Sequence, residues 1–386
     1  AGGRVRLLRV ASAAEQAAAV VAWLRELRRL DPALAWPRCA VLARTHGELD
    51  PIRSLCEHHE IPVRWTDEGD RLPPLHRIRE LAGFLETLAQ RRAASWRATD
   101  LLARCPADEP PVHPWRSLLR ELLVEWADAS GNAESTAGQA LEFFHQALAE
   151  RRREPARGKG VLLGTVHAAK GLEFAHVVLA DGGWCPRSRG GRPGMEAALE
   201  NEEEERRLFY VGMTRARETL TLLWRRDAGN PFVRELRESS PGLDLCEPQL
   251  DLEPPPVAVL ARRFAFLGMG DLFLDYAGRR PAADPVHERL ARLQPGSLLA
   301  LRRNGSGDVE LLDASGLPVA VLARSARENR AGAIAGAEEV RVVAVVERRR
   351  ADSDPEFQGS LRCERWQVPL VEIRYRGPLA PAPWSR

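Results

Sequence analysis

The sequence has no apolar run long enough to cross a membrane as a helix, and residues 1–10 have neither the apolar core nor the cleavage site of a signal peptide. We therefore expect a cytoplasmic protein without a membrane contact. Close cysteine pairs are also missing, which argues against a zinc site or a redox motif and favours free thiols and no bound metal. The six cysteines are Cys39, Cys56, Cys105, Cys185, Cys246 and Cys363.

Lysine is almost absent, because Lys159 and Lys170 are the only two and arginine carries the remaining basic charge. The net charge is only +2, so the molecule is not a polycation, and any contact with nucleic acid must come from local placement of charge. With 44% hydrophobic and 28% charged residues, the composition is that of an ordinary globular protein. A chain of 386 residues exceeds what one hydrophobic core usually serves, so we expect two or three structural units.

Strands and helices alternate in two separate parts of the sequence, residues 1–90 and 160–228. Apolar runs and helical periodicity predict strands at 5–10, 39–43, 62–65, 161–166, 175–181 and 219–224, and helices at 12–30, 49–59 and 200–217. Such alternation is typical of a parallel sheet covered on both faces. The sequence therefore predicts an α/β fold in which the two parts complete one sheet.

The two parts are separated by residues 91–159, whose pattern predicts a short helical insertion. Arginines in 151–157 close this insertion, and although they could touch a phosphate backbone, a solvated helix end is the preferred interpretation. A Pro-containing linker at 229–270 and short β-like runs over 271–386 then predict a small C-terminal β-rich domain. The arginines of its segment Tyr276-Ala-Gly-Arg-Arg280 could bind a phosphate backbone or a partner, and a structural cap is an equal alternative.

Two long segments carry the strongest functional signal. One is Gly-Thr-Val-His-Ala-Ala-Lys-Gly-Leu-Glu-Phe at 164–174, and the other is Glu-Glu-Glu-Glu-Arg-Arg-Leu-Phe-Tyr-Val-Gly-Met-Thr-Arg-Ala-Arg at 202–217. In order and spacing they resemble motifs V and VI of UvrD-like (superfamily 1, UvrD/Rep-like) DNA helicases, and the resemblance covers about residues 1–228. It implies the second RecA-like domain of the C-terminal half, with a P-loop NTPase-like fold that lacks the P-loop. The order of parts is also similar to the end of large bacterial RecQ-like fusion proteins.

The first of these segments offers groups for both DNA and nucleotide. Thr165 and His167 come at a strand end, where hydroxyl, imidazole and backbone N–H groups can bond DNA phosphates without reading sequence. Gly171 lets the backbone approach a ligand closely, and the matching family position gives Glu173 a hydrogen bond to a ribose hydroxyl. Lys170 is retained in a chain that otherwise uses arginine, which favours a compact point charge beside the nucleotide over chance retention.

Arg215 ends the helix of the second segment and matches the family's arginine finger, which grips γ-phosphate oxygens as charge builds during phosphoryl transfer. The alternative is a solvated arginine at a helix end. Acidic residues 202–205 open the same helix, where its dipole favours them, and we assign them a structural role. A weaker likeness, Ala-Val-Leu-Ala-Arg-Thr-His at 40–46, resembles motif IV and would make Arg44 a second phosphate-sensing arginine. This segment departs from the family because Ala43 replaces an aromatic residue.

The chain has no Gly-x-x-x-x-Gly-Lys-Ser/Thr loop and no acidic strand end of the Walker B type, so the β-phosphate and Mg²⁺ have no place in it. The resemblance implies that ATP and Mg²⁺ bind with an N-terminal RecA-like domain, in the same polypeptide or in a partner subunit. We therefore expect half of an ATP-dependent helicase that moves 3′ to 5′ on single-stranded DNA in repair or recombination. Alone, this chain should be inactive.

Two other functions are compatible with parts of this pattern. A non-catalytic DNA-binding or scaffolding subunit with a RecA-like fold is the first, and the presence of Arg215 and Glu173 argues against it, because a purely structural domain needs neither. A helicase–nuclease is the second. Its active site needs a Glu-x-Lys arrangement in the tail, and no lysine follows Lys170.

Overall fold

A computed structural model describes residues 4–65, 73–91, 94–105, 113–153, 160–184, 195–240, 243, 245–248 and 255–377. Lys159, Cys185 and positions 154–157 of the arginine run lie outside these described residues. The other five cysteines carry free thiols. None of the helices within the described ranges is long and apolar enough to span a membrane.

The strands and helices are numbered in chain order. The strands are β1 (Arg4–Val10), β2 (Cys39–Ala43), β3 (Val63–Trp65), β4 (Ser95–Trp96), β5 (Ser135–Thr136), β6 (Val161–Thr165), β7 (Phe174–Leu179), β8 (Ala216–Arg225), β9 (Leu245–Cys246), β10 (Arg262–Leu267), β11 (Leu298–Arg303), β12 (Val309–Leu312), β13 (Pro318–Val321), β14 (Ala337–Arg349) and β15 (Arg365–Arg376). The helices are α1 (Ala13–Leu30), α2 (Asp50–His58), α3 (Arg79–Gln90), α4 (Ala98–Arg104), α5 (Pro114–Ser130), α6 (Ala137–Arg153), α7 (Met195–Met213), α8 (Pro231–Ser239), α9 (Val257–Leu260), α10 (Pro285–Arg292), α11 (Arg324–Asn329), α12 (Ala331–Ala335) and α13 (Pro355–Gln358).

The first of two compact units comprises residues 1–67, 155–263 and 376–386. Its described strands form a parallel seven-stranded sheet in the order β3-β6-β2-β7-β8-β1-β9. Strand β6 lies between β3 and β2, and β8 lies between β7 and β1, so the two separated parts of the sequence complete one sheet. The predicted α/β fold with a parallel sheet is therefore confirmed.

Strand β2 shows why this sheet is covered on both faces. All five of its residues are buried, as expected for a central parallel strand. Ala40 and Leu42 belong to a hydrophobic cluster with Phe209 of α7, whereas Val41 belongs to a cluster with Leu24 of α1. Successive side chains point to opposite faces of a strand, so α1 and α7 pack on opposite faces of the sheet.

The second unit comprises residues 68–154 and 264–375, so the helical insertion and the β-rich part fold together. This grouping differs from the boundaries that the sequence suggested, which set 91–159 and 271–386 apart as separate regions. The predicted elements themselves are present, with helices in the insertion and a separate β-rich sheet after it.

A shared hydrophobic core explains why the insertion and the β-rich part form one unit. Apolar side chains of α3, α5 and α6 join those of β14 in a single cluster. Trp115 Nε1 of α5 donates to Val343 O of β14 at 3.0 Å, and Ile78 forms an isolated antiparallel bridge with Val346. Helical periodicity reveals that each helix has an apolar face, but it does not reveal which sheet that face will cover.

The β-rich sheet has the strand order β10-β15-β14-β11-β12-β13, and its pairs from β11 to β15 are antiparallel. A tight turn at 304–307 lies between β11 and β12. Asn304 Oδ1 accepts hydrogen bonds from Ser306 N at 3.0 Å and Asp308 N at 2.9 Å, and Gly307 has φ +82°. Asparagine and glycine therefore close this hairpin for the reasons that make them common in turns.

Replacing Phe144 with Ala should lower the free energy of unfolding of the second unit by ~3–5 kcal/mol. Its ring is 1% exposed and makes edge contacts with Phe84 and Trp126, at centroid distances of 4.9 Å and 5.8 Å. The neighbouring Phe143 is only partly buried, so Phe143→Ala is a matched control with a smaller expected loss. Chemical denaturation measures both, and equal losses would contradict the assignment of Phe144 to the core.

Candidate functional site

The carboxyl ends of the parallel strands meet at one edge of the seven-stranded sheet, the edge at which open α/β sheets bind ligands. Arg44 follows β2 there, and Thr165 ends β6 directly opposite Ala43. Thr165 also starts a tight turn, because its Oγ1 accepts a hydrogen bond from Ala168 N at 3.3 Å. His167 lies within this turn and is exposed. The two residues expected to contact DNA therefore lie on one short turn.

The same turn continues to the start of β7 and carries the residues expected to contact nucleotide. Gly171 has φ +86°, a left-handed conformation that favours glycine. Among the described residues, and apart from its chain neighbours, no atom lies within 4 Å of the place a Cβ would take. Lys170 and Glu173 are both exposed, and Glu173 Oε2 accepts a hydrogen bond from Arg217 Nε at 2.8 Å. This part of the turn leaves its backbone open to a ligand.

Arg215 lies between the end of α7 and the start of β8, beside this turn. Its Nε donates to Val211 O and its Nη1 to Leu172 O, both at 3.0 Å, and its Nη2 donates to Thr214 Oγ1 at 2.9 Å. A backbone hydrogen bond also joins Arg215 to the start of β7, since Phe174 N donates to Arg215 O at 2.9 Å. These acceptors are two carbonyls and a hydroxyl, so these contacts position the guanidinium without neutralising its charge.

Arg44 is held in a different way. Its Nε and Nη2 donate to the two carboxylate oxygens of Glu205, each at 2.6 Å, in a half-buried bidentate pair. Hydrogen bonding by Glu205 raises the pKa of Arg44. Glu205 and Val211 are six residues apart (from 205 to 211) on α7, so Arg44 and Arg215 bind points about 9 Å apart along its axis.

The residues predicted from sequence thus fall into two groups. Glu173 and Arg215 directly precede β7 and β8 at the amino-terminal edge of the sheet, and Arg215 joins the turn between Gly171 and Glu173. Arg44 and Thr165 lie at the carboxyl edge. Within the part of the chain that the structure describes, no group of three or more His, Cys, Asp or Glu side chains could hold a metal ion.

A buried polar network at the carboxyl edge was missed by sequence reasoning. Asp181, just after β7, is 1% exposed. Its Oδ1 accepts hydrogen bonds from Gly182 N at 2.8 Å and Asn230 Nδ2 at 2.9 Å, and its Oδ2 accepts one from Arg225 N at 2.8 Å. Gln16 of α1 bonds both backbone groups of Asp181, with its Oε1 accepting and its Nε2 donating. Burial raises the pKa of Asp181 although these hydrogen bonds oppose the shift.

The network continues from the end of β8 to the loop after β2. The Arg225 guanidinium binds the carboxylates of Glu48 and Asp227, the latter through both oxygens at 2.9 Å and 3.0 Å. Burial raises the pKa of Glu48, and the charge of Arg225 only partly offsets that shift. Gly182 has φ +115°, and a Cβ there would collide with the Glu48 carboxylate. An acidic residue followed by two glycines at the end of an apolar strand is the sequence signal that could have revealed this network.

A comparison with protein families matches residues 116–227 to the UvrD-like helicase C-terminal domain. This range contains both motif segments, strands β6 to β8, helix α6 and all but the first two residues of α5. It does not include Arg44 or the first strands, which the likeness drawn from the sequence had included.

Curated relatives match over similar lengths. A stretch of 117 residues is 44% identical to the "ATP-dependent DNA helicase UvrD2" of Mycobacterium tuberculosis and covers 28% of this chain and 16% of the relative. A stretch of 149 residues is 43% identical to "ATP-dependent DNA helicase UvrD1" of Mycobacterium leprae, covering 33% and 18%. The "Putative ATP-dependent DNA helicase YjcD" of Bacillus subtilis is 45% identical over 83 residues, covering 20% and 10%. The match spans less than a fifth of each relative. The resemblance to the C-terminal half of UvrD-like helicases is confirmed.

Glu48→Gln should gain stability relative to the unsubstituted chain as pH rises from about 4 to about 7. Burial raises the pKa of Glu48 above its ordinary value of 4.5, so its favourable contribution is complete below that value and is lost as pH rises through the folded-state pKa. Glutamine does not titrate, so the substituted chain escapes this loss.

Denaturation at several pH values measures this difference. The matched control is Glu204→Gln, which removes an exposed carboxylate from α7. If the difference in free energy of unfolding between Glu48→Gln and the unsubstituted chain stays constant with pH, the pKa of Glu48 is not raised in the folded protein.

Proposed function

We propose that this chain supplies the second RecA-like half of an ATP-dependent DNA helicase that moves 3′ to 5′ along single-stranded DNA. The observation that carries the proposal is the placement of Arg215. Its guanidinium is fixed beside the exposed turn of Gly171 and Glu173 and is held by neutral acceptors. A positive charge that is positioned but not neutralised is what stabilisation of a transferring phosphoryl group requires.

The nucleotide would lie against the turn that ends at β7. Gly171 allows close approach of the backbone, Glu173 accepts a hydrogen bond from the ribose, and Lys170 supplies a point charge. ATP hydrolysis supplies the free energy for movement, and the phosphate-binding loop and Mg²⁺ site belong to an N-terminal RecA-like domain, in the same polypeptide or a partner. This division explains why the chain alone should be inactive.

Arg44 is the second arginine proposed to contact the γ-phosphate of ATP. In the structure its Nε and Nη2 groups are already bonded to the Glu205 carboxylate. In this proposal Arg44 reaches a phosphate only by exchanging the Glu205 carboxylate for a phosphate oxygen. The exchange replaces one bidentate anion with another and leaves the charge of Arg44 paired in both states. Glu205 therefore acts as the counter-ion of Arg44 when phosphate is absent.

The DNA strand would lie at the carboxyl edge, against Thr165 and His167. Contacts from a hydroxyl, an imidazole and backbone N–H groups reach phosphates and carry no sequence information. The short turn from His167 to Gly171 joins this surface to the nucleotide surface, so a shift of the turn on phosphate release would move both.

Arg215→Ala should reduce DNA-stimulated ATP hydrolysis about 10³-fold or more in a protein that contains both RecA-like halves, because it removes the finger charge. Binding of single-stranded DNA should be little changed, since Arg215 lies at the opposite edge of the sheet from Thr165. The matched control is Arg234→Ala, which removes an exposed arginine of α8. The measurement is steady-state ATP hydrolysis with and without DNA.

The same assay separates this proposal from its main alternative. Hydrolysis by the 386-residue chain alone would contradict a divided ATP site. If the protein with both halves is inert and still binds single-stranded DNA, the chain is instead a non-catalytic DNA-binding subunit.

His167→Ala should weaken binding of single-stranded DNA by about two- to tenfold, the range expected for one hydrogen bond to a phosphate. The loss should be the same for oligonucleotides of different sequence. His58→Ala removes an exposed histidine of the same unit and should leave the affinity unchanged. Fluorescence anisotropy measures the affinities, and a loss confined to one base sequence would contradict a phosphate contact.

A further inference from the structure

Three exposed arginines of the second unit come from two chain segments that lie side by side. Arg279 and Arg280 end the turn that follows β10, and Arg362 precedes β15. Arg362 N donates to Gly278 O at 2.7 Å, and Cys363 Sγ donates to Arg280 O at 3.0 Å. The two chain segments that carry these three exposed arginines are therefore in direct contact.

None of these three arginines forms an ion pair with another described residue. Two acidic residues close to them in the chain are engaged elsewhere. Asp284 accepts from Val286 N at 2.9 Å at the start of α10, and Glu364 pairs with Arg350 at 2.7 Å. Like charges placed together without a counter-ion repel one another, and a bound anion removes that repulsion.

Two aromatic rings lie among these arginines. The Cζ of Arg279 lies 4.9 Å from the ring centroid of Phe273, and the Cζ of Arg280 lies 5.3 Å from that of Tyr276. Phe273 is 37% exposed even with the Arg279 guanidinium over its ring. Cation–π contact places each guanidinium over a ring and does not use the N–H groups at its edge, which can still donate hydrogen bonds.

The turn that carries these residues is held rigidly. A Cβ at Gly278 would lie 2.8 Å from the ring of Trp366, so only glycine allows this approach. Trp366 Nε1 donates to Leu274 O at 2.7 Å, and the buried Asp275 carboxylate accepts from Ser353 Oγ at 2.8 Å. The surface is therefore formed before any ligand arrives, which lowers the entropy cost of binding.

We propose that Phe273, Tyr276, Arg279, Arg280 and Arg362, the arginine–aromatic patch, bind single-stranded DNA. The guanidiniums pair with successive backbone phosphates, and the exposed ring of Phe273 stacks on a base. This patch is a second DNA surface and belongs to the second unit. The DNA surface proposed at Thr165 and His167 belongs to the first unit. Binding to the patch does not depend on ATP hydrolysis by the first unit.

The aromatic rings favour a single strand over other anions. In a duplex the base faces are stacked on one another, whereas a single strand leaves them available to an aromatic side chain. An acidic peptide would pair with the guanidiniums but has no base to stack on the part of the Phe273 ring that Arg279 leaves exposed. The combination of free arginines and an exposed ring thus fits a ligand in which phosphates and bases alternate.

The test uses the 386-residue chain, a labelled oligo(dT) probe and fluorescence anisotropy between about 50 and about 200 mM salt. The patch variant is R279Q/R280Q/R362Q. The control variant changes net charge equally in the same unit at exposed arginines that are already paired with glutamates, and it is R292Q/R302Q/R341Q. Loss of three phosphate contacts should lower the slope of log affinity against log salt by about two.

Across this fourfold salt range the unsubstituted chain should therefore lose about 16-fold more affinity than the patch variant. The control variant should keep the original slope. Equal slopes for the patch and control variants would overturn the proposal. The same measurement in a His167→Ala background should give the same difference in slope. The result therefore does not depend on whether Thr165 and His167 bind DNA.

Phe273→Leu tests the stacking contact separately. It keeps an apolar side chain but removes the ring, so affinity should fall about fivefold or more while the salt slope is unchanged. If Phe273→Leu has no effect and a duplex of equal length competes as well as oligo(dT), the assignment to single strands is wrong.

Discussion

A carboxylate buried after β7 determines the geometry of the carboxyl edge of the parallel sheet. An unpaired buried charge costs several kcal/mol, and Asp181 is 1% exposed, so it is tolerated only because three donors surround it. Those donors belong to the following loop, to the end of β8 and to the start of α8. Satisfying one side chain therefore fixes three elements against one another, and Gln16 attaches α1 to the backbone of the same residue.

The arginines of the first unit differ in the groups that accept their hydrogen bonds. Arg225 and Arg44 are bound by carboxylates, so their charges are balanced and serve to join β8 and β2 to their neighbours. Arg215 is bound by carbonyls and a hydroxyl, which orient its guanidinium equally well but leave its charge uncompensated. An arginine held by a carboxylate must exchange it to bind an anionic ligand, as proposed for Arg44, whereas an arginine held by neutral acceptors has no such anion to displace.

The parallel sheet could be predicted from the sequence because strands buried on both faces leave continuous apolar runs such as 39–43 and 177–180. The motif segments could be recognised because their residue types and spacing are unusual. The partner of Arg44 could not be predicted, since Glu205 lies 161 positions away and looks like any other acidic residue of α7. The packing of the insertion helices against β14 could not be predicted either, because periodicity identifies an apolar face without identifying what covers it.

The near absence of lysine agrees with this use of guanidinium. Arg44 takes both oxygens of one carboxylate, Arg225 reaches two carboxylates at once, and Arg215 joins two carbonyls and a hydroxyl. A single ammonium nitrogen cannot span any of these sets of acceptors. Lys170, in contrast, is exposed on the turn before β7. In the arginine–aromatic patch the planar guanidinium lies over a ring and still presents donors at its edge. The several donors of the planar guanidinium thus join the elements of the first unit, and in the second unit they form a surface suited to phosphates and bases together.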